Sequence, residues 1–218
     1  MGAKRRVEVA IVLAVTLGMS AVRAVLQLVG ALTRGPLNTQ ETTLNAPQAS
    51  QAWLDIALQL TSAATLIAWG LLVWYLLGEL PRPRWADVVP ALALAAVIGI
   101  PGLALYAGAL RMGWTTEVVI ADGFLLTQLM WAFANGFAEE SIVVAYLQRR
   151  FGRAALLPAA LLRGAYHLYQ GVSAFFGNLV MGLLYGLYYA KTGRIWPLII
   201  AHCVIDAVAF VGYRFWPF

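Results

Sequence analysis

The sequence predicts an all-α polytopic membrane protein with about seven transmembrane helices. Of its 218 residues, 61% are hydrophobic and only 11% are charged, against about 25% charged for an average soluble domain. Apolar runs of about 20 residues, the length needed to cross a hydrocarbon core about 30 Å thick, recur along the chain. The net charge of +5 lies in short basic clusters beside these runs, which fits membrane topology and does not indicate nucleic-acid binding.

Seven spans follow from the hydropathy pattern, and they predict a single integral membrane domain over residues 1–218. Their predicted limits are 7–32, 53–77, 87–110, 117–148, 154–170, 173–190 and 195–215. The fourth span is long, and glycine weakens a helix interior, so we expect this span to be tilted or broken near Gly136. The stretch between the first two spans, residues 33–52, is rich in Thr, Asn, Gln and Pro and is predicted to be a polar loop.

The distribution of Lys and Arg predicts a cytoplasmic N-terminus in a multi-pass protein of the cell membrane. In that orientation the cytoplasmic side holds ten basic residues, which are Lys4, Arg5, Arg6, Arg82, Arg84, Arg149, Arg150, Arg153, Lys191 and Arg194. The outer side holds Arg34, Arg111 and Arg214, while Arg23 and Arg163 lie within spans. Because basic residues favour the cytoplasmic side, we expect the C-terminus outside.

Ionisable side chains also occur inside the predicted fourth span. Glu139 and Glu140 are adjacent there, and Asn135 precedes Glu139 by one helical turn. A charged residue at the centre of a membrane helix costs about 2.5 to 3.5 kcal/mol on insertion scales. A pair of intramembrane carboxylates therefore indicates a functional site.

The two histidines lie in the fifth and seventh predicted spans. Arg163 precedes His167 by four residues and Asp206 follows His202 by four, so each pair shares one helix face. At a rise of 1.5 Å per residue, these side chains and the glutamates fall in the central band of the bilayer. Polar groups at one depth can satisfy each other's hydrogen bonds. We therefore expect one polar chamber between helices 4, 5 and 7.

Residues 117–215 resemble the CaaX protease and bacteriocin-processing (CPBP) family, which includes type II CaaX prenyl endopeptidases and lysostaphin resistance protein A-like proteins. The resemblance rests on Glu-Glu, then Tyr-His-Leu-Tyr-Gln-Gly, then His-x-x-x-Asp, with Thr-Gly-Arg-Ile-Trp-Pro before the last motif. It implies an intramembrane endopeptidase that hydrolyses a peptide bond, by glutamate-activated water, near the C-terminus of a membrane-associated, CaaX-like substrate.

The resemblance also implies roles for four residues. Glu139 matches the water-activating glutamate and His167 the histidine that assists it. His202 and Asp206 match the pair that stabilises the oxyanion. Since an ionised carboxylate repels an oxyanion, we expect Asp206 either to be protonated or to orient His202, and we favour orientation.

Two positions depart from the family pattern. Val144 stands where the pattern has arginine, and Arg163 where it has phenylalanine. We expect Arg163 to restore the missing positive charge by pairing with Glu140, while Glu139 faces the histidines. Asn135 is expected to have a structural, supporting role.

Zinc chemistry is an alternative at this site. Glu139, His167 and His202 would supply oxygen and nitrogen ligands, but the His-Glu-x-x-His signature is missing. The resemblance favours metal-independent glutamate chemistry, so no cofactor is expected to be required. Cys203, the single cysteine, directly follows His202, points elsewhere, and is expected to be a packing residue.

Two other functions are compatible with the sequence. The first is a non-catalytic CPBP-like scaffold or immunity factor, which the loss of arginine at Val144 favours. The second is a small transporter that uses the carboxylates and histidines as a proton relay, although no inverted repeat relates the two halves. The expected partners of an endopeptidase are a membrane-associated peptide or protein substrate and the lipid bilayer, with no nucleic acid.

Overall fold

The computed structural model describes residues 2–121 and 123–212 and is mainly helical. Its α-helices are α1 (Ala3–Val15), α2 (Leu17–Arg34), α3 (Ala52–Leu77), α4 (Val88–Arg111), α5 (Leu125–Glu139), α6 (Leu147–Phe151), α7 (Leu156–Tyr166), α8 (Val172–Thr192) and α9 (Trp196–Gly212). A π-helical segment, Glu140–Tyr146, lies between α5 and α6. The predicted all-α class is confirmed. Arg214, predicted on the outer side, lies outside the described residues.

Two short strands, which the hydropathy pattern did not predict, accompany the helices. Strands β1 (Glu41–Leu44) and β2 (Glu117–Ile120) form one two-stranded sheet. The amide of Glu117 donates to the carbonyl of Gln40 at 2.9 Å, and the amide of Ala121 donates to the carbonyl of Leu44 at 3.0 Å. The bonded positions increase together along both strands, so the pair is parallel. The residues 33–52, predicted to be a polar loop, therefore contain one strand.

Within the described part of the chain, three helical stretches are long and apolar enough to cross a membrane. They are α3, the stretch Trp85–Arg111 that includes α4, and α8. A fourth results if α1 and α2, which meet at 51°, form one span. The helices α7 and α9 have 11 and 17 residues, fewer than the roughly 20 needed to cross a bilayer. The helix α5 has 15 residues and continues directly into the π-helical segment and α6. A membrane protein is supported, whereas seven spans and their orientation stay predictions.

The bend between α1 and α2 lies at Thr16. Its buried hydroxyl donates to the carbonyl of Val12 at 2.7 Å, and its backbone, with φ −112° and ψ −116°, leaves the helical region. A threonine hydroxyl bonded to the carbonyl four residues earlier favours bending of a helix. The span predicted over residues 7–32 is therefore built from two helices.

The described residues divide into two compact units that alternate along the chain. The first contains residues 2–42, 100–118 and 142–193, and the second contains residues 43–99, 119–121, 123–141 and 194–212. The single membrane domain expected over residues 1–218 stays a prediction.

In the first unit, α7 and α8 form a closely packed antiparallel hairpin. A Cβ atom added at Gly182 would lie 3.0 Å from the Cα of Ala160, and one added at Gly186 would lie 2.7 Å from a methyl carbon of Leu156. Small residues at a helix interface let two backbones approach closely. The hairpin is therefore held by contacts that larger residues at these positions would prevent.

The turn between α7 and α8 is fixed by Thr115. The hydroxyl of Thr115 donates to the carbonyl of Gln170 at 2.9 Å and accepts from the hydroxyl of Ser173 at 2.8 Å. Gly171 has a φ of +100°, and a Cβ atom there would lie 2.8 Å from the Cα of Thr115. Glycine meets both demands, since it tolerates positive φ and has no side chain. This turn carries His167.

In the second unit, α5 packs between α3 and α9. A Cβ atom at Gly70 of α3 would lie 2.6 Å from the ring of Phe137, and one at Gly136 of α5 would lie 3.2 Å from the carbonyl oxygen of Ile199. The sequence predicted a span that is tilted or broken near Gly136. The helix α5 continues regularly through this residue to Glu139, so there is no break at Gly136 itself, and the tilt stays a prediction. The glycine provides close packing against α9. Cys203 takes part in this packing, with its Sγ 3.1 Å from the same added atom.

The beginning of α9 is anchored by an ion pair in the second unit. The guanidinium of Arg194 donates from Nε at 3.1 Å and from Nη2 at 2.6 Å to one oxygen of Asp87. Asp87 also accepts from the backbone amide of Arg84 at 2.8 Å. The indole of Trp196 donates to the carbonyl of Pro81 at 3.0 Å. These contacts place the start of the helix that carries His202.

Candidate active site

The two glutamates lie where α5 changes into the π-helical segment. Glu139 is the last residue of α5 and Glu140 the first of the π-helical segment. Both are buried, with exposed fractions of 9% and 0%. A π-helix bonds each amide to the carbonyl five residues earlier, and such turns occur frequently at functional sites. The two carboxylates therefore sit at a change of helical geometry that the sequence did not reveal.

Glu140 contacts His202 of α9. The Nδ1 atom of His202 lies 2.7 Å from Oε1 of Glu140, and both side chains are buried. An ionised carboxylate only accepts hydrogen bonds, so the imidazole donates through Nδ1. Glu140, which was predicted to pair with Arg163, thus contacts one of the histidines, and the prediction that Glu139 faces the histidines stays a prediction.

His202 also faces Asp206 on its own helix. The Nε2 atom of His202 lies 3.6 Å from a carboxylate oxygen of Asp206, beyond the usual hydrogen-bond range of about 2.7 to 3.2 Å. The predicted i, i+4 arrangement is confirmed. The imidazole therefore has a carboxylate near each of its two nitrogens, Glu140 on one side and Asp206 on the other.

A buried hydrogen bond supports the glutamates from α3. The indole of Trp74 donates to the hydroxyl of Ser141 at 2.9 Å, and Ser141 directly follows Glu140. Sequence reasoning missed this serine, although a polar residue after two intramembrane carboxylates was a usable signal. Asn135 lies half-buried on α5, one turn before Glu139. Its predicted supporting role is not tested by these contacts.

The other end of the π-helical segment is held in the first unit. The hydroxyl of Tyr146 donates to Glu8 at 2.9 Å, and Nη2 of Arg150 lies 2.6 Å from the same carboxylate oxygen. Burial lowers the pKa of Arg150, but hydrogen bonds with Tyr146 and Glu8 outweigh it and leave the pKa above its ordinary value. Arg150 therefore stays charged, and the end of the π-helical segment is tied to α1.

Arg163 and His167 lie at the end of α7 in the first unit. Arg163 is fully buried, its Nε donates to the amide oxygen of Asn178 at 3.4 Å, and its guanidinium lies 5.7 Å from the ring centre of Tyr185. Sequence reasoning missed both partners, because it considered charged residues and overlooked an amide in an apolar helix. The guanidinium is thus positioned from α8.

His167 has a defined hydrogen bond on one of its two nitrogens. Its Nδ1 atom lies 2.9 Å from the backbone carbonyl oxygen of Arg163. A carbonyl only accepts hydrogen bonds, so Nδ1 carries the proton. In the neutral ring the Nε2 atom is then the acceptor. The predicted i, i+4 proximity is confirmed, and this hydrogen bond joins the imidazole to the backbone of Arg163.

The predicted site residues are thus distributed between the two units. Glu139, Glu140, His202 and Asp206 belong to the second unit, which brings Glu140, His202 and Asp206 together. The first unit contains Arg163 and His167. The chamber between helices 4, 5 and 7, and the pairing of Glu140 with Arg163, stay predictions.

A metal site was the alternative chemistry for Glu139, His167 and His202. Among residues 2–121 and 123–212, no group of three or more His, Cys, Asp or Glu side chains is arranged to hold a metal ion. Zinc in proteins requires three or four such ligands. Metal-independent chemistry stays a prediction for these residues.

The fold and these contacts define an α-helical membrane protein with a buried carboxylate–histidine cluster. Residues 121–208 match the family described as Type II CAAX prenyl endopeptidase Rce1-like, so the recognition made from the motifs is confirmed over this segment. The matched residues include Glu139, Glu140, Arg163, His167, His202 and Asp206. This is a family of proteases, which supports peptidase activity at the family level. No match was found among curated proteins or among solved structures.

Proposed function

We propose that this protein is an intramembrane endopeptidase that hydrolyses a peptide bond near the C-terminus of a membrane-associated, CaaX-like protein or peptide. The observation that carries the proposal is the buried contact of 2.7 Å between Glu140 and His202, inside the segment that matches the Rce1-like family. Burying a carboxylate requires compensation by hydrogen bonds. A chain with so few charges retains this pair for the chemistry that it supports.

Glu139 and His167 are the proposed water-activating residues. Amide hydrolysis needs a base that takes a proton from the attacking water, and a buried carboxylate in a water-poor site supplies it. The acceptor Nε2 of His167 suits a group that receives or relays a proton, because the Nδ1 atom already donates to the carbonyl of Arg163. In this mechanism water adds to the carbonyl carbon while its proton passes to Glu139. The C–N bond of the resulting tetrahedral intermediate then breaks as Glu139 returns the proton to the leaving amine.

His202, positioned by Glu140 and Asp206, is the proposed oxyanion partner. Donors aimed at the developing negative charge contribute strongly to acyl-transfer catalysis. Since Nδ1 donates to Glu140, donation to an oxyanion falls to Nε2 and requires the imidazolium form. Asp206, 3.6 Å from Nε2, orients the ring and stabilises that form.

A non-catalytic scaffold is the second candidate, and Val144 favours it. This residue replaces the arginine of the family pattern and is buried, with 1% of its surface exposed. In the endopeptidase proposal, the fully buried Arg163 supplies the missing positive charge. The two candidates therefore differ in whether a Glu139-dependent reaction exists.

The deciding experiment measures protein C-termini in membranes by mass spectrometry. Cells express the wild type, Glu139→Gln, or the control Glu117→Gln, which changes an exposed glutamate of β2. We expect shortened C-termini with the wild type and the control. With Glu139→Gln at an equal protein level, the amount of shortened C-termini should fall about 100-fold or more, since general-base catalysis contributes about 100- to 10,000-fold to the rate. Identical C-termini in all three samples would overturn the endopeptidase proposal and support the scaffold.

A chelator separates the two chemistries once the Glu139-dependent cleavage is observed. Glutamate-activated water predicts the same rate with and without a zinc chelator in isolated membranes. Loss of cleavage on chelation, with recovery on added zinc, would contradict the metal-independent mechanism.

A further inference from the structure

The helix α2 carries a polar stripe that the candidate active site does not use. Arg23, Gln27, Gly30 and Arg34 follow the spacing i, i+4, i+7, i+11, which places them on one helix face. Arg23 lies in the middle of an otherwise apolar stretch. Because an arginine at the centre of a membrane helix costs about 2.5 to 3.5 kcal/mol, its presence indicates a ligand or partner.

The stripe lines a cavity of about 530 Å³ that lies entirely within the first unit. Sites for small molecules have volumes of about 300 to 1,000 Å³. The cavity is therefore large enough for a lipid head group and larger than a bare anion requires. The opposite wall is polar and contains Gln40, Glu41, Thr42, Thr116 and Tyr169. Two hydroxyls in this wall, of Thr42 and Thr116, lie 2.9 Å apart.

The guanidinium of Arg34 is positioned inside this cavity. Its Nη2 atom donates to the side-chain oxygen of Gln40 at 3.2 Å, and the amide nitrogen of Gln40 donates to the carbonyl of Ala31 at 2.9 Å. A Cβ atom added at Gly30 would have Nη1 of Arg34 at 3.7 Å. The side chain of Arg34 therefore reaches back along α2 towards Arg23. With Glu41 in the wall, the three ionisable groups leave one net positive charge.

Apolar side chains of α2 lie directly beside the cavity. Val22, Leu26 and Val29 are exposed to 52%, 66% and 53%, and Leu26 also lines the cavity. In a bilayer, exposed aliphatic side chains on a membrane helix contact acyl chains. A positively charged cavity next to such a surface complements a molecule with an anionic head and an apolar tail.

We propose that this cavity binds the phosphate head group of an anionic phospholipid, with the acyl chains along the exposed apolar face of α2. Arginine presents paired N–H donors that match phosphate oxygens, and hydroxyl and amide groups of the wall suit the remaining head-group oxygens. One net positive charge complements one phosphodiester. A peptide carboxylate would match the charge, but it would leave the adjacent apolar surface unexplained.

The site also touches the segment that carries His167. Tyr169 lines the cavity and follows His167 by two residues, and its carbonyl accepts from the hydroxyl of Thr42 at 3.4 Å. A bound head group would therefore contact the turn between α7 and α8. The lipid site itself does not depend on proteolytic activity.

Native mass spectrometry of the purified full-length protein in neutral detergent tests the proposal. The probes are phosphatidylglycerol, phosphatidylcholine, inorganic phosphate, and an acylated peptide with either a free or an amidated C-terminus. Arg23→Gln removes a charge, whereas Gly30→Leu fills the space and keeps both arginines. Arg111→Gln is the matched control, since this arginine is exposed and helical like Arg23 but is not part of the cavity wall. Size-exclusion chromatography checks that each variant is folded.

We expect the wild type and Arg111→Gln to bind phosphatidylglycerol at least about tenfold more tightly than phosphatidylcholine. One additional charge-assisted hydrogen bond is enough to increase the affinity by this factor. Both Arg23→Gln and Gly30→Leu should abolish that preference. In the event that Arg23→Gln is misfolded, the result for Gly30→Leu decides the test. Equal lipid binding by all variants overturns the site. Equally tight binding of inorganic phosphate, or displacement of lipid by the free-carboxylate peptide but not by its amide, overturns the lipid assignment.

Discussion

Replacing Glu140 by glutamine removes one charge and keeps the shape of the side chain. The Oε1 atom of Glu140 accepts from Nδ1 of His202 at 2.7 Å, and the two side chains are 0% and 6% exposed. A glutamine oxygen in the same place still accepts this hydrogen bond. The substitution therefore tests the contribution of the charge, whereas Glu140→Ala also removes the acceptor.

The expected magnitudes follow from the type of bond that is lost. A hydrogen bond to a charged group stabilises by about 1.5 to 3 kcal/mol and a neutral one by about 0.5 to 1.5 kcal/mol, so Glu140→Gln should lower the free energy of unfolding by about 1 to 1.5 kcal/mol. Glu140→Ala leaves a buried N–H without its acceptor. Removing one partner of a buried ion pair costs about 3 to 5 kcal/mol, so alanine should be clearly worse than glutamine.

Denaturant unfolding of the purified protein in detergent micelles measures both values. A double-mutant cycle of Glu140→Gln with His202→Asn should give a coupling of about 1 kcal/mol or more, as is usual for residues in contact. Glu117→Gln, on the exposed face of β2, should stay within about 0.5 kcal/mol of the wild type. The reasoning is refuted if Glu140→Gln and Glu140→Ala both behave like this control, or if the cycle is additive.

Unfolding measurements also check three other contacts. A cycle of Glu140→Gln with Arg163→Leu should be non-additive by at least about 0.5 kcal/mol if these residues pair as predicted, and strict additivity would contradict the pairing. Arg194→Lys should destabilise by about 1 to 2 kcal/mol, because lysine cannot reproduce the three donations of the guanidinium to the two carboxylate oxygens of Asp87. An unchanged free energy of unfolding would show that this ion pair is not stabilising. Gly136→Ala should destabilise by about 1 to 3 kcal/mol through overpacking against α9, since its Cβ would lie 3.3 Å from Cβ of His202. Gly102→Ala, where no neighbour lies within 4 Å, is the control, and equal effects at both glycines would refute this reason.

Contacts within one helix could be predicted from the sequence, because helical periodicity determines them. The proximity of His202 to Asp206 follows directly from their spacing, and so does that of Arg163 to His167. Contacts between helices could not be predicted in the same way. The partners Glu140 and His202 are 62 residues apart, and their meeting depends on how α5 and α9 pack around Gly136.

The change from α-helix to π-helix at Glu140 had no signal in the hydropathy pattern. The residues from Ser141 to Tyr146 are apolar or small at nearly every position, so they fit an α-helix and a π-helix equally well. The wider turn alters the directions of side chains that a helical wheel places about 100° apart. The sequence therefore predicted contact with the histidines for Glu139 and did not predict the contact of Glu140 with His202.

Helix ends were also less predictable than the membrane character of the chain. Hydropathy predicted a fifth span over residues 154–170, but α7 ends at Tyr166. The turn that follows depends on Gly171 and on hydrogen bonds from Thr115, a residue more than 50 positions away. Composition therefore predicted the class of fold, while the position of His167 at a helix end came from contacts distant in sequence.

The two histidines show most clearly what the structure adds to the motifs. Each has an ionisable neighbour four residues away, so helical spacing by itself does not distinguish them. In the structure, Nδ1 of His167 donates to a neutral backbone carbonyl at 2.9 Å, whereas Nδ1 of His202 donates to the carboxylate of Glu140 at 2.7 Å. The first arrangement makes Nε2 the acceptor of a neutral ring, and the second places Nε2 facing Asp206. This difference favours a proton-accepting role for His167 and a donating role for His202, the same division that the endopeptidase proposal requires.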